Sequence, residues 1–229
     1  MKATLLALMT LGSLAMAEDV VTLSSPSPSN TQAGYTSFDF QLDDSWLTKD
    51  PEATVLTEMV KLTSMEVSTA KTWYNKNQTQ RNQGAGVAIY QKSDTVWSFV
   101  GSSDWQKGYG EGAVLTFSFG DDFVLSSGTT YTAVFYGNET AFNGLTTGAT
   151  LESLVGGENP SEDSPLAAFG MKSINYTQVP NFSMYSNTGA AQNQAPFVTF
   201  KVQNQNVPEP TTGTLSLLAL AGLCIRRRK

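Results

Sequence analysis

Period-two alternation of apolar and polar side chains recurs along this chain. In residues 35–42, Phe38, Phe40 and Leu42 alternate with Ser37, Asp39 and Gln41, as in a strand with one face buried and the other wet. Residues 113–119 repeat it, with Leu115, Phe117 and Phe119 against Thr116 and Ser118. Residues 197–202 set Val198, Phe200 and Val202 against Thr199 and Lys201, and 130–136 is a run of Thr, Tyr, Ala, Val and Phe. Less regular strands are expected over 20–23, 87–90, 95–100, 169–174 and 182–185. Gly, Asn, Ser and Asp clusters separate them, the spacing of a sandwich or barrel. The pattern predicts an all-β, antiparallel β-sandwich in a single domain.

One segment supports two readings. Asp50-Pro51-Glu52 would start a helix, and Val55, Leu56, Met59, Val60 and Leu62 could follow as its apolar stripe. Thr54, Thr57, Thr63, Val67 and Thr69 favour an extended chain, because β-branched side chains lose rotamer freedom in a helix. A strand is expected here. A short helical turn is expected at 150–155, ahead of Gly156-Gly157.

The ends depart from this pattern. Met1-Lys2 is a positive start, residues 3–15 are almost wholly apolar, and Ala15-Met16-Ala17 gives a small-x-small cleavage pattern. These three signals in order predict a signal peptide cut after Ala17, with Glu18 as the mature start. At the other end Pro208-Glu209-Pro210 precedes an uncharged stretch carrying Leu215, Leu217, Leu218, Leu220, Leu223 and Ile225. Arg226, Arg227, Arg228 and Lys229 close it. The prolines break preceding structure, the apolar stretch partitions into a membrane, and the cations stay on the cytoplasmic side. The stretch is shorter than the ~20 residues a comfortable helical span needs, which suits a temporary anchor.

Charge and composition then remove whole classes of chemistry. The chain carries 14 basic and 20 acidic residues, net −6. Lys2 and Arg226 to Lys229 are among the basic ones, so the stretch between the terminal segments is more acidic still. Such a domain repels nucleic acid and anionic membrane surfaces. The sequence contains no histidine, and its one cysteine is Cys224. That excludes Ser-His-Asp and Cys-His nucleophilic sites, zinc held by His or Cys, and a disulfide within the domain. Nothing calls for a cofactor.

The Pro-Glu-Pro, apolar and Arg-rich elements in this order resemble the PEP-CTERM sorting signal of Gram-negative bacteria. The resemblance covers only the tail. It implies export, a transient inner-membrane anchor, and processing near the Pro-Glu-Pro by an exosortase-type enzyme, with delivery to the cell envelope, outer surface or medium. A second resemblance is to jelly-roll sandwiches, among them carbohydrate-binding modules. It rests on Trp97-Ser98-Phe99-Val100-Gly101, Leu115-Thr116-Phe117-Ser118-Phe119 and the turn-and-strand run Ser127-Gly128-Thr129-Thr130-Tyr131. The organisation expected is a signal peptide (1–17), a leader (18–34), a jelly-roll-like β domain (35–203) and a sorting tail (204–229).

For the domain itself the sequence names candidates but no motif. Trp73, Trp105 and Tyr109 are the side chains a sugar-stacking reading selects; Trp105 and Tyr109 sit in Gly-rich polar sequence. The alternative is that such aromatics plug the sandwich, and Trp97 is expected in the core. The acidic pairs Asp43-Asp44, Asp121-Asp122 and Glu162-Asp163 lack the ligand spacing of a calcium loop and are expected as solvated turns. Three readings follow: a non-catalytic envelope or matrix protein, a polysaccharide-binding module, and a carboxylate-based glycan hydrolase or lyase. The first is expected.

Overall fold

The structure, a computed structural model, describes residues 20–26, 30–31, 35–43, 47–69, 84–108, 113–144, 171–175, 183–186, 191–192 and 194–205. In the first sheet β4 (Thr48–Lys49), β1 (Val20–Ser24), β15 (Val198–Asn204), β5 (Met59–Ser68) and β8 (Val114–Ser118) lie side by side in that order. β9 (Val124–Ser126) also pairs with β5. The second sheet runs β13 (Ala191–Gln192), β12 (Met184–Ser186), β3 (Tyr35–Phe40), β10 (Tyr131–Tyr136), β6 (Gly86–Ser93), β7 (Val96–Ser102). A small third sheet holds β14 (Gln194–Pro196), β11 (Lys172–Asn175) and β2 (Asn30–Thr31). The pairings are antiparallel, as the alternation predicts.

The two large sheets pack face to face. Phe40 from the second stacks on Phe200 from the first at 4.9 Å, and Phe117 meets Phe135 at 5.8 Å. Val21, Leu23, Leu62, Met65, Phe38 and Val202 are wholly buried in the same core. The outer face of the first sheet carries Thr22, Lys61, Glu66, Thr116 and Lys201, all exposed or half-buried. The second sheet is different. Every residue of β3 and of β10 is buried, so these central strands are covered on both faces, while the edge strand β7 stays exposed or half-buried.

From Met59 on the contested segment is the expected strand, whereas residues 50–58 ahead of it are turn and irregular chain, and the ambiguity has a cause. Lys201 pairs with Ser64 but Val202 pairs with Leu62, so Thr63 is the extra residue of a bulge. The inward residues of β5 therefore fall at Val60, Leu62, Met65 and Val67, a spacing broken by one and part-way to a helical stripe. The expected turn at 150–155 lies outside the described residues. A helix does occur at α1 (Glu139–Asn143), which places Phe142 against Gly86 so closely that a Cβ there would sit 2.6 Å from the ring.

β1 falls within the segment 18–34 that the sequence sets apart as a leader. It pairs along its whole length with β15, from Val20↔Gln203 to Ser24↔Thr199, and Val21 and Leu23 point into the core. That part of the segment belongs to the folded sheet. No helix among the described residues is long and apolar enough to cross a membrane.

Candidate functional site

The covered outer face of the second sheet collects the chemistry of the domain. Side chains alternate along β10, so Tyr131, Ala133 and Phe135 enter the main core while Thr132, Val134 and Tyr136 face the other way. Thr132 lies directly opposite Asp39 of β3 on one side and Tyr90 of β6 on the other. Lys92 is two residues further along β6 on the same face, just before the two-residue turn Asp94-Thr95, where Asp94 takes a φ of 52°. Tyr185 comes from β12, across β3.

These side chains form one bonded cluster. Asp39 Oδ2 accepts from Lys92 Nζ and, at 2.8 Å, from the Tyr185 hydroxyl; Oδ1 accepts from Thr132 Oγ1 at 2.6 Å. Lys92 Nζ also donates to the Tyr185 oxygen at 2.9 Å, and Trp97 Nε1 donates to Thr132 Oγ1 at 2.8 Å. The ammonium lies 5.6 Å from the ring centres of both Trp97 and Tyr185. The Asp39 side chain is 0 % exposed and that of Lys92 is 21 %. An open depression of about 490 Å³, lined by Lys92, Ser93, Asp94 and Thr130, gives the lysine its contact with solvent.

Burial decides the titration here. It pushes the Asp39 carboxyl above its ordinary value, against the opposing pull of bonds from Lys92, Thr132 and Tyr185. Partial burial pulls Lys92 down, but its bonds to Asp39 and Tyr185 and the Asp39 charge outweigh this, and Lys92 ends above the ordinary lysine value. Burial, then the Asp39 charge, raises the Tyr185 hydroxyl as well.

Beside this cluster lies an aromatic layer. Tyr90 and Tyr136 place their hydroxyls 3.3 Å apart, and Phe99, Phe142, Trp97 and Trp105 pack around them. Trp97 is therefore half-buried on the outer layer, not in the core where the sequence places it, because a bulge at Val100 turns Trp97 and Phe99 outward. Trp105 is half-buried too. Its ring lies 5.4 Å from that of Phe142, tilted by 46°, and its indole edge fills the space above Gly84. Trp73 and Tyr109 lie outside the described residues, as do the signal segment, the Pro-Glu-Pro and the tail. Of the acidic pairs, Asp121 bonds Lys61 at 3.1 Å while almost fully exposed. Among the described residues no group of three or more His, Cys, Asp or Glu side chains converges.

The sequence does not single out Asp39, Lys92, Thr132 or Tyr185. Asp39 reads as the wet position between Phe38 and Phe40, and only the layer covering that face changes its meaning. No protein-family model matches this chain, and no curated protein or solved structure matches it.

Proposed function

We propose that this is an exported envelope protein, sorted by its C-terminal tail, whose β domain is a non-catalytic structural or matrix module. One observation supports it above the others. Among the described residues the first strand is Val20–Ser24 and the last is Val198–Asn204, and they pair from Val20↔Gln203. A cut after Ala17 and another near Pro208 would thus release a sheet with every described strand intact, its two ends leaving from the same end of an antiparallel strand pair. A non-catalytic role is supported by the way the wholly buried Asp39 carboxylate is satisfied by Lys92, Tyr185 and Thr132 inside the fold.

The partners in this reading are the export machinery, an exosortase-type processing enzyme and, at the surface, polysaccharide. The test is mass spectrometry of the envelope fraction. The surface form should begin at Glu18 and lack everything from about residue 210 onward. Replacing Glu209 or the Arg226–Lys229 cluster should leave uncleaved precursor in the inner membrane. Surface protein that retains the arginine run would overturn the sorting reading. On a glycan array, saturable binding would move the domain to the carbohydrate-binding class, and sugar release from polysaccharide would move it to the hydrolases.

A further inference from the structure

The geometry points to a self-formed covalent link: an amide joining Lys92 Nζ to Asp39 Cγ, made by the folded domain and straddling the second sheet. Every participant in that condensation is already in contact. Lys92 Nζ sits against the Asp39 carboxylate, and the Tyr185 hydroxyl touches both, accepting from Nζ at 2.9 Å and donating to Oδ2 at 2.8 Å. Thr132 Oγ1 donates to the other oxygen, Oδ1, at 2.6 Å and is itself fixed by the Trp97 indole. The two carboxyl oxygens therefore have different roles. Oδ1 is held as the future carbonyl, where Thr132 stabilises negative charge as it develops. Oδ2 is the oxygen that leaves.

The step balances within the pair. One proton passes from the Lys92 ammonium to Asp39, giving a neutral amine and a carboxylic acid. The Nζ lone pair attacks Cγ, and the N–C bond forms. Tyr185 then relays a second proton from nitrogen to Oδ2, the Cγ–Oδ2 bond breaks, and one water departs. No oxidant or other reagent is consumed. Burial of Asp39 favours the protonated acid that this sequence needs, while the bonds that raise Lys92 hold its proton and make the transfer the uphill part of the step. It also removes the competing solvent, and holding both groups in contact replaces an encounter with a unimolecular step. The open depression beside Lys92 gives the released water a way out.

The link would suit its place. Asp39 on β3 and Lys92 on β6 flank β10, so one bond would join two strands across a third and close a loop between residues 53 apart in sequence. With no histidine, and its one cysteine in the tail, the domain has no disulfide to do the same.

The test is tandem mass spectrometry of the protein recovered from the envelope, denatured and digested with trypsin. A branched peptide is expected, the piece ending at Lys49 joined to 82–107, lighter than the two together by one water and uncut after Lys92. Lys92→Arg should give linear peptides only. Tyr185→Phe should slow appearance of the branch by about 100-fold, the usual worth of a positioned proton relay, whereas a tyrosine that only packs would leave the rate unchanged. Linear peptides ending at Lys92 as the sole products of folded wild-type chain would overturn the proposal. So would a branch that persists in Lys92→Arg. If that variant does not fold, the wild-type digest decides alone.

Discussion

Burial sets the alkaline behaviour of Tyr90 and Tyr136, whose hydroxyls share a hydrogen bond inside the aromatic layer. Both are raised above the ordinary tyrosine value, Tyr136 strongly, because the charged form would be desolvated. A raised folded value means that the stabilisation is complete below the unfolded tyrosine value, ~10, and is lost as pH climbs from there toward the folded one. Melting temperature followed from pH 9 upward should therefore fall more steeply for the wild type than for Tyr136→Phe. The variant itself should lose about 1 kcal/mol at neutral pH, the worth of one hydrogen bond. Asp39→Ala is the harsher change. It strands Lys92 without an anion and should cost about 3–5 kcal/mol in urea unfolding, more than any exposed carboxylate such as Asp121. Alternation places Asp39 on the correct face, yet its burial was not legible, since no local pattern reveals that a second layer covers that face.

At the scale of elements, strands with one wet face were readable, and of the two covered on both sides β3 still alternates while β10 does not. β8 and β15 follow their alternation closely, with Leu115, Phe117, Val198, Phe200 and Val202 inward. β10 offers no polar rhythm because both its faces are buried. β5 misleads for a different reason, the extra Thr63 that shifts its inward side chains by one position. Phe200→Ala should test the packing directly. It removes the ring stacked on Phe40 and should destabilise by about 3–5 kcal/mol. Gly84 is a second checkpoint. Its φ of +114° is strained for any other residue, and a Cβ would lie 2.3 Å from the Gln106 carbonyl and 2.8 Å from Trp105 Nε1. Gly84→Ala should cost roughly 2 kcal/mol, with a change in the near-ultraviolet signal of the half-buried Trp105 indole.

For the whole molecule, the all-β sandwich was legible from period-two runs and turn clusters, whereas the outer cluster depends on register between strands far apart in sequence. The terminal segments carry their chemistry in plain order and need no register. Cys224 offers a simple readout of the processing proposed above. A maleimide label on denatured chain should attach once to inner-membrane precursor and not at all to the surface form.

The pairing of the first strand with the last also governs when the domain becomes complete. β1 is synthesised first and finds its partner only when β15 has followed, and β15 is also the principal neighbour of β5. Contacts that span nearly the full chain close slowly, because the intervening entropy must be surrendered before they form. In a polypeptide threading through a translocation pore, as the proposed export requires, the first sheet would thus stay incomplete until its final strand emerged, while β3, β6, β7 and β10 of the second sheet would already be through. Chains stalled before residue 198 should accordingly remain sensitive to protease, and resistance should arrive abruptly once Val198–Asn204 is released.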